Sequence, residues 1–98
     1  MSEVVFLDPA LAELREAARW YDEQETGVGQ EFLRAVEQAL DRLLHDPSAR
    51  PTAGRGVHRQ FVDRFPFDLL YRIRPAQIEI LAVAHHSRKP GYWQHRAR

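Results

Sequence analysis

The residues best suited to chemistry lie near the end of the chain, where cations and aromatic side chains are interleaved. Arg88 and Lys89 are followed closely by Tyr92 and Trp93, and two adjacent histidines precede them. Cations beside aromatic rings can bind phosphate and stack on bases, or they can anchor a protein partner. Histidine adds a group whose unperturbed pKa of about 6.5 suits proton transfer near neutrality. A structural interpretation is also open, in which Trp93 folds back and closes the core.

The strands before these residues limit how His86 and Arg72 could act. In an uninterrupted strand, alternation puts His86 on the apolar face, with Ile78, Ile80, Ala82 and Ala84. Only a bulge or the end of the strand would bring it into an open site, so a hydrogen-bonded histidine at the rim of the core is the simpler interpretation. Arg72 falls on the less apolar face of its strand, opposite Phe67, Leu69 and Tyr71. There it is either a functional cation or a solvated arginine.

The charges of the chain are divided between its two halves. Residues 1–49 hold four Arg or Lys against eleven Asp or Glu, and residues 50–98 hold ten against three, although the whole chain has no net charge. Such asymmetry suggests a basic surface for an anionic partner. The other interpretation is that the halves pack together and pair their charges.

Length and composition indicate one ordinary globular domain over residues 1–98. The 98 residues can bury a single modest core, and 44% of them are hydrophobic. The sequence predicts neither a membrane span nor a signal peptide. It has no cysteine, which fits a cytoplasmic protein and excludes thiolate chemistry. No glycine-rich phosphate loop and no metal-ligand spacing is present, so we expect no cofactor and no metal.

The periodicity predicts an α+β fold. A short strand at 4–7 leads into a helix that begins at Asp8-Pro9, with Asp8 as its cap, and a break at 26–29 separates this helix from a second one that ends before Pro47. After a loop at 47–56, alternating segments at 57–62, 67–73 and 78–86 predict an antiparallel meander whose last strand is central. The two helices should pack as a hairpin on one face of this mainly antiparallel sheet.

Two segments carry a resemblance to a known family. They are FPFDLLYRI at residues 65–73 and IEILAVAHHSRKPGYW at residues 78–93. This arrangement, together with the Asp-Pro helix start and the AARWY of the first helix, resembles toxins of the RelE/ParE superfamily, especially the ParE-like branch often labelled plasmid stabilisation proteins. The resemblance implies a type II toxin held in a hetero-oligomer by a cognate antitoxin, with Trp20 and Tyr21 as antitoxin-contact residues.

The superfamily contains two mechanisms, and the resemblance leaves both open. ParE-like members bind DNA gyrase and trap it on cleaved DNA, which here would use Arg72, Arg88, Lys89, Tyr92 and Trp93 to bind the target. RelE-like members cut mRNA on the ribosome with Lys, Arg and Tyr side chains.

As a nuclease the chain would use Arg59, Arg72, His86, Arg88 and Tyr92 to hold phosphate and transfer protons. Carried over one by one, the family's positions fall on Arg59, His86 and Tyr92, but one arginine position falls on Asp68, whose charge would repel phosphate. We therefore expect a ParE-like gyrase inhibitor that acts by binding. The alternatives are an mRNA endonuclease and an inactive member that still binds its antitoxin.

Overall fold

The two helices are positioned by contacts close to the loop that joins them. The computed structural model describes residues 3–97, in which α1 spans Asp8–Gln24 and α2 spans Val28–His45. The cap of α1 is Leu7, and Asp8 lies inside the first turn, where its carboxylate favours the positive end of the helix dipole. The predicted capping role of Asp8 is therefore wrong by one residue. Asp22 of α1 accepts the backbone N–H groups of Gly27 and Gly29, which satisfies donors that the start of α2 would otherwise leave free.

Five strands form one sheet in the order β1-β5-β4-β3-β2. The strands are β1 (Glu3–Phe6), β2 (Thr52–Gly54), β3 (Val57–Val62), β4 (Phe67–Ile73) and β5 (Gln77–His85). β1 pairs parallel with β5, and every other pair is antiparallel. The α+β prediction is confirmed. The segment predicted as a loop holds the short edge strand β2, and the middle strand is β4 rather than the expected β5.

Both faces of the sheet are covered, each by a different part of the chain. The helices cover one face, where Phe32 and Leu43 of α2 share a core with Leu69, Tyr71 and Ile80 of the sheet. On the other face, Leu70, Leu81 and Ala84 pack beneath Trp93, of which only 5% is exposed. Residues 87–97, here called the tail, therefore close a second small core, and Trp93 folds back as one of the two interpretations predicted.

A β-bulge in β5 reverses which side chains face the helices. Tyr71 pairs with Ile80 and Leu70 pairs with Ala82, so Leu81 is an extra residue on β5. Ile80 faces the helices before the bulge and Val83 does so after it, while Ala82 and Ala84 face the tail. The predicted common face for Ile78, Ile80, Ala82 and Ala84 is wrong, because uninterrupted alternation does not hold through this strand.

Within residues 3–97, neither helix combines the length and the apolar composition that crossing a membrane requires.

Candidate target-binding cleft

An open cleft of about 620 Å³ lies between the tail and the sheet face that the helices leave free. Most residues predicted as a site from the sequence line this cleft: Arg59, His86, Arg88, Lys89, Tyr92 and Trp93. Asp68, Leu70 and Ala84 form part of its floor. We call it the basic cleft. It is the place where the structure brings together side chains from β3, β4, the end of β5 and the tail.

The bulge and the end of β5 together direct His86 into the basic cleft. β5 ends at His85, and the backbone N–H of His86 donates to the carbonyl oxygen of Pro66 at 2.8 Å. The imidazole stacks against Phe61 with ring centroids 5.8 Å apart, and its Nε2 lies 3.4 Å from Asp68 Oδ1. The predicted position of His86 on the apolar face is therefore wrong, and both exceptions that the sequence allowed occur.

Cations outnumber carboxylates in the basic cleft. Arg59, Arg88 and Lys89 line it against the single carboxylate of Asp68. Within residues 3–97, no carboxylate oxygen lies within 4.0 Å of a charged nitrogen of Arg59 or Lys89. The Arg88 guanidinium lies 3.9 Å from the centre of the Tyr92 ring, and it also approaches Glu13 at 3.8 Å. The cleft therefore offers positive charge that the chain itself leaves largely uncompensated.

Arg72 lies outside the basic cleft. As predicted, it is on the face opposite Phe67, Leu69 and Tyr71, but that face is covered at this point. Its Nε donates to Glu79 Oε1 at 2.6 Å, and its Nη1 donates to the carbonyl oxygen of Ala97 at 2.7 Å. The hydrogen bond from Arg72 holds the pKa of Glu79 below its usual value. The open position expected for Arg72 is therefore wrong, because the tail and Glu79 occupy its guanidinium.

Glu13 of α1 joins the tail to the sheet. Its Oε1 accepts the backbone N–H of Val83 at 3.0 Å and Arg96 Nη1 at 2.9 Å. Its Oε2 accepts the hydroxyl of Tyr92 at 2.8 Å. Arg96 Nη1 also donates to the carbonyl oxygen of Leu81. Glu13 and Arg96 therefore occupy polar groups of β5 beyond Ile80, the last residue of β5 that pairs with β1.

Tyr92 is committed to this network. Burial, followed by the hydrogen bond to Glu13, raises the pKa of its hydroxyl, so the phenol stays protonated at neutral pH. No local pattern pointed to Glu13, because its partners Val83 and Arg96 lie 70 and 83 residues away along the chain.

A second surface depression, the α1 groove, lies where α1 passes over the end of β5. It has a volume of about 290 Å³. His85 and Arg88 line both this groove and the basic cleft. The other lining residues are Glu13, Glu16, Ala17, Trp20, Tyr21, Phe67 and Val83. Trp20 is 55% exposed. Tyr21 is half-buried, packs against Phe32 and Phe65, and has its pKa raised by burial. The two residues expected to contact an antitoxin thus lie together, one exposed and one packed against the core.

A family model described as the ParE toxin of the type II toxin–antitoxin system parDE matches residues 4–90. The chain belongs to the ParE toxin family. The match ends before Tyr92 and Trp93, so their placement in this ParE-family toxin comes from the structure alone.

The fold of the ParE-family chain is also that of a solved structure titled "Chromosomal ParDE TA system from P. aeruginosa". The two chains superpose with a TM-score of 0.75 at 19% identity, over 87% of this chain and 96% of the other. A comparison with curated proteins gave no match.

The geometry separates the residues that were expected to act in a nuclease. Arg59, His86, Arg88 and Tyr92 line the basic cleft, whereas Arg72 is paired outside it. The Tyr92 hydroxyl donates its hydrogen bond to Glu13. Within residues 3–97, no group of three or more His, Cys, Asp or Glu side chains is arranged to hold a metal ion. The cleft therefore presents charge and aromatic surface more clearly than it presents an acid–base pair.

Proposed function

We propose that this ParE-family toxin inhibits DNA gyrase by binding, and that the basic cleft is the surface that contacts the target. The observation that carries the proposal is the uncompensated charge of Arg59 and Lys89 on a concave surface. Such a surface attracts a polyanionic complex such as gyrase with its DNA. Arg72 and Tyr92 were expected in both the binding set and the nuclease set, and Glu79 and Glu13 engage them. Binding is favoured over RNA cleavage because attraction of a polyanion needs only free positive charge, whereas cleavage also needs a free acid and base.

The experiment adds the purified chain to a gyrase supercoiling reaction and, separately, to a translating extract in which mRNA ends are mapped by primer extension. Accumulation of cleaved-DNA complexes with intact mRNA supports the proposal. Cuts positioned by codon would instead indicate a ribosome-dependent mRNA endonuclease. No effect in either reaction, together with harmless expression in cells, would indicate an inactive member.

A charge-removal variant tests whether the basic cleft is the surface involved. Replacing both Arg59 and Lys89 with alanine should raise the toxin concentration for half-inhibition about tenfold, since two exposed charge contacts at about 0.7 kcal/mol each amount to one factor of ten. The matched control replaces Arg15 and Arg34, two exposed arginines of the helices, with alanine. Equal effects of the two double variants would show that general charge, and not the cleft, governs inhibition.

We propose further that the cognate antitoxin neutralises the toxin by inserting an apolar side chain into the α1 groove. Strand addition is disfavoured where β5 extends past β1, because Glu13 and Arg96 occupy its polar groups there. It is also disfavoured at the opposite edge, because β2 has only three residues. A helix that docks through its apolar face fits such a groove, and the exposed Trp20 is the type of residue that dominates binding energies.

The antitoxin proposal is tested by titration calorimetry with the purified antitoxin. Replacing Trp20 with alanine should weaken binding at least 30-fold, which corresponds to about 2 kcal/mol for a central aromatic contact. The control is Leu44→Ala, which truncates an exposed apolar residue of α2 outside the groove. A Trp20→Ala toxin that binds as tightly as the control would contradict this docking site.

A further inference from the structure

An exposed pair of aromatic rings stands beside the cations of the basic cleft. Phe61 of β3 is 46% exposed, and His86 stacks against it with an interplanar angle of 27°. A single exposed apolar side chain is ordinary. What distinguishes Phe61 is the ring stacked on it, which the structure holds by the hydrogen bond of His86 to Pro66 and by the nearby carboxylate of Asp68. The stacked pair therefore presents exposed aromatic surface in a set orientation, and we call it the aromatic platform.

The cations are positioned around this platform by strand geometry. Arg59 and Phe61 are two residues apart on β3, so both side chains point to the tail side of the sheet, roughly 6–7 Å apart along the strand. Asp68 of β4 pairs with Phe61 of β3 on one side and with Ala84 of β5 on the other. Its carboxylate therefore lies beside the platform. Lys89 lines the cleft from the tail. The walls of the cleft are therefore positive, while the position beside the platform is negative.

We propose that the basic cleft binds a single-stranded segment of nucleic acid, with one unstacked base on the aromatic platform and the neighbouring phosphates on Arg59 and Lys89. Stacking on aromatic rings combined with a basic groove is how proteins hold single strands without reading their sequence. A duplex hides the faces of its bases within the stack, so it cannot use the platform. Asp68 repels phosphate near His86, which leaves the walls of the cleft as the place for the backbone.

This inference rests on the proposed function in one respect, namely that the basic cleft is the surface that contacts the target. The strand would be DNA that gyrase has opened, or RNA if the target is a messenger. Both sources offer the same chemistry of base faces and phosphates, and the 2′-hydroxyl distinguishes them. A purely protein-binding cleft is the competing interpretation, and it needs no affinity for free nucleic acid.

The test uses the purified toxin without gyrase. Fluorescence anisotropy is measured with a labelled oligonucleotide of about 12 nucleotides as single-stranded DNA, as single-stranded RNA and as duplex DNA. We expect the toxin to bind a single strand more tightly than the duplex. Preference for DNA would identify the gyrase-held strand as the source, and preference for RNA would identify a messenger. Binding that is absent, or that is as tight for the duplex, would overturn the inference.

Variants show whether the platform and the walls act as assigned. Phe61→Ala should weaken single-strand binding about 5- to 150-fold, the range that one lost base stack gives, whereas Phe61→Tyr keeps the ring and should retain binding. The matched control is Ile73→Ala, at an apolar strand residue that is 44% exposed and lies outside the cleft. Affinity falls as salt rises, and replacing Arg59 and Lys89 together should make this fall less steep. The slope of log affinity against log salt should decrease in magnitude by about 1.4, because two phosphate contacts are lost.

The two proposals can fail separately. Strand binding that depends on Phe61 without any effect on gyrase would refute only the gyrase proposal. Inhibition of gyrase by a toxin with no affinity for a free single strand, or with strand binding that Phe61→Ala leaves unchanged, would refute only this inference.

Discussion

Replacing Glu13 with alanine should release the tail from α1 and β5. The carboxylate accepts hydrogen bonds from Val83, Tyr92 and Arg96, and only 14% of its side chain is exposed. Arg96 of the tail joins the same three elements, because it donates to Glu13 and to the carbonyl oxygen of Leu81. The variant therefore tests whether one acidic residue of the first helix maintains the wall of the basic cleft.

The size of the effect follows from what the substitution leaves behind. Arg96, whose side chain is 12% exposed, loses its carboxylate partner, and Val83 N–H and the Tyr92 hydroxyl lose their acceptor. Breaking a buried ion pair costs about 3–5 kcal/mol, and the remaining contact with solvent favours the lower end, about 3 kcal/mol. For a domain of this size, that loss lowers the melting temperature by about 12–24 °C. Glu13→Gln keeps an acceptor and should lose about 1–2 kcal/mol.

The assay is urea unfolding followed by circular dichroism and by tryptophan fluorescence in a Trp20→Phe background, where Trp93 is the only tryptophan. In Glu13→Ala, we expect the emission of Trp93 to shift to the red at lower urea than the loss of helix. Glu16→Ala removes an exposed acid of the same helix and should change stability by less than about 0.5 kcal/mol. If Glu13→Ala is no less stable than Glu16→Ala, the reasoning about the tail is wrong.

Three further predictions concern the fold that holds the cleft. The folded state lowers the pKa of Glu79, so the ionised carboxylate stabilises the fold above the pKa that Glu79 has in the unfolded chain. This stabilisation is lost as the pH falls through the pKa of Glu79 in the folded state. Below about pH 4.5, the urea midpoint should therefore fall more steeply in the wild type than in Glu79→Gln. Gly29→Ala would place a Cβ 2.5 Å from a backbone oxygen of α1, and thermal unfolding should show a loss of about 1–3 kcal/mol that Gln30→Ala does not reproduce. Tyr71→Phe removes a 2.6 Å hydrogen bond to the carbonyl oxygen of Pro47 and should cost about 1–2 kcal/mol in urea unfolding; no loss would mean that water replaces the hydroxyl.

Local patterns were sufficient for most of the elements. The predicted strands 57–62 and 67–73 agree with β3 and β4, because clear alternation between turn residues leaves little freedom of register. The start of α1 follows from the fixed φ of Pro9, and the break before α2 follows from Gly27, whose φ of 96° other residues rarely adopt. β2 was missed, since a three-residue edge strand has too few residues to show a period.

The candidate site was only partly predictable, and His86 and Arg72 show why. Counting along the strand places His86 among apolar residues, but one extra residue in β5 reverses the faces and exposes it to the basic cleft. Counting places Arg72 correctly opposite Tyr71, yet it cannot show that the tail returns to cover that position. Phe61 was read only as part of a strand, since its exposure depends on where the tail stops covering the sheet.

The sequence by itself determined the fold class, the family resemblance and the basic character of the second half, because each is encoded in neighbouring residues and their periods. The tertiary structure decided which cations remain free. Glu13 pairs with Arg96 and Glu79 pairs with Arg72. Arg59 and Lys89 line the cleft without a carboxylate partner among the described residues. The physical reason is that ion pairing depends on distances in space, and the carboxylate that neutralises Arg96 lies 83 residues from it along the chain.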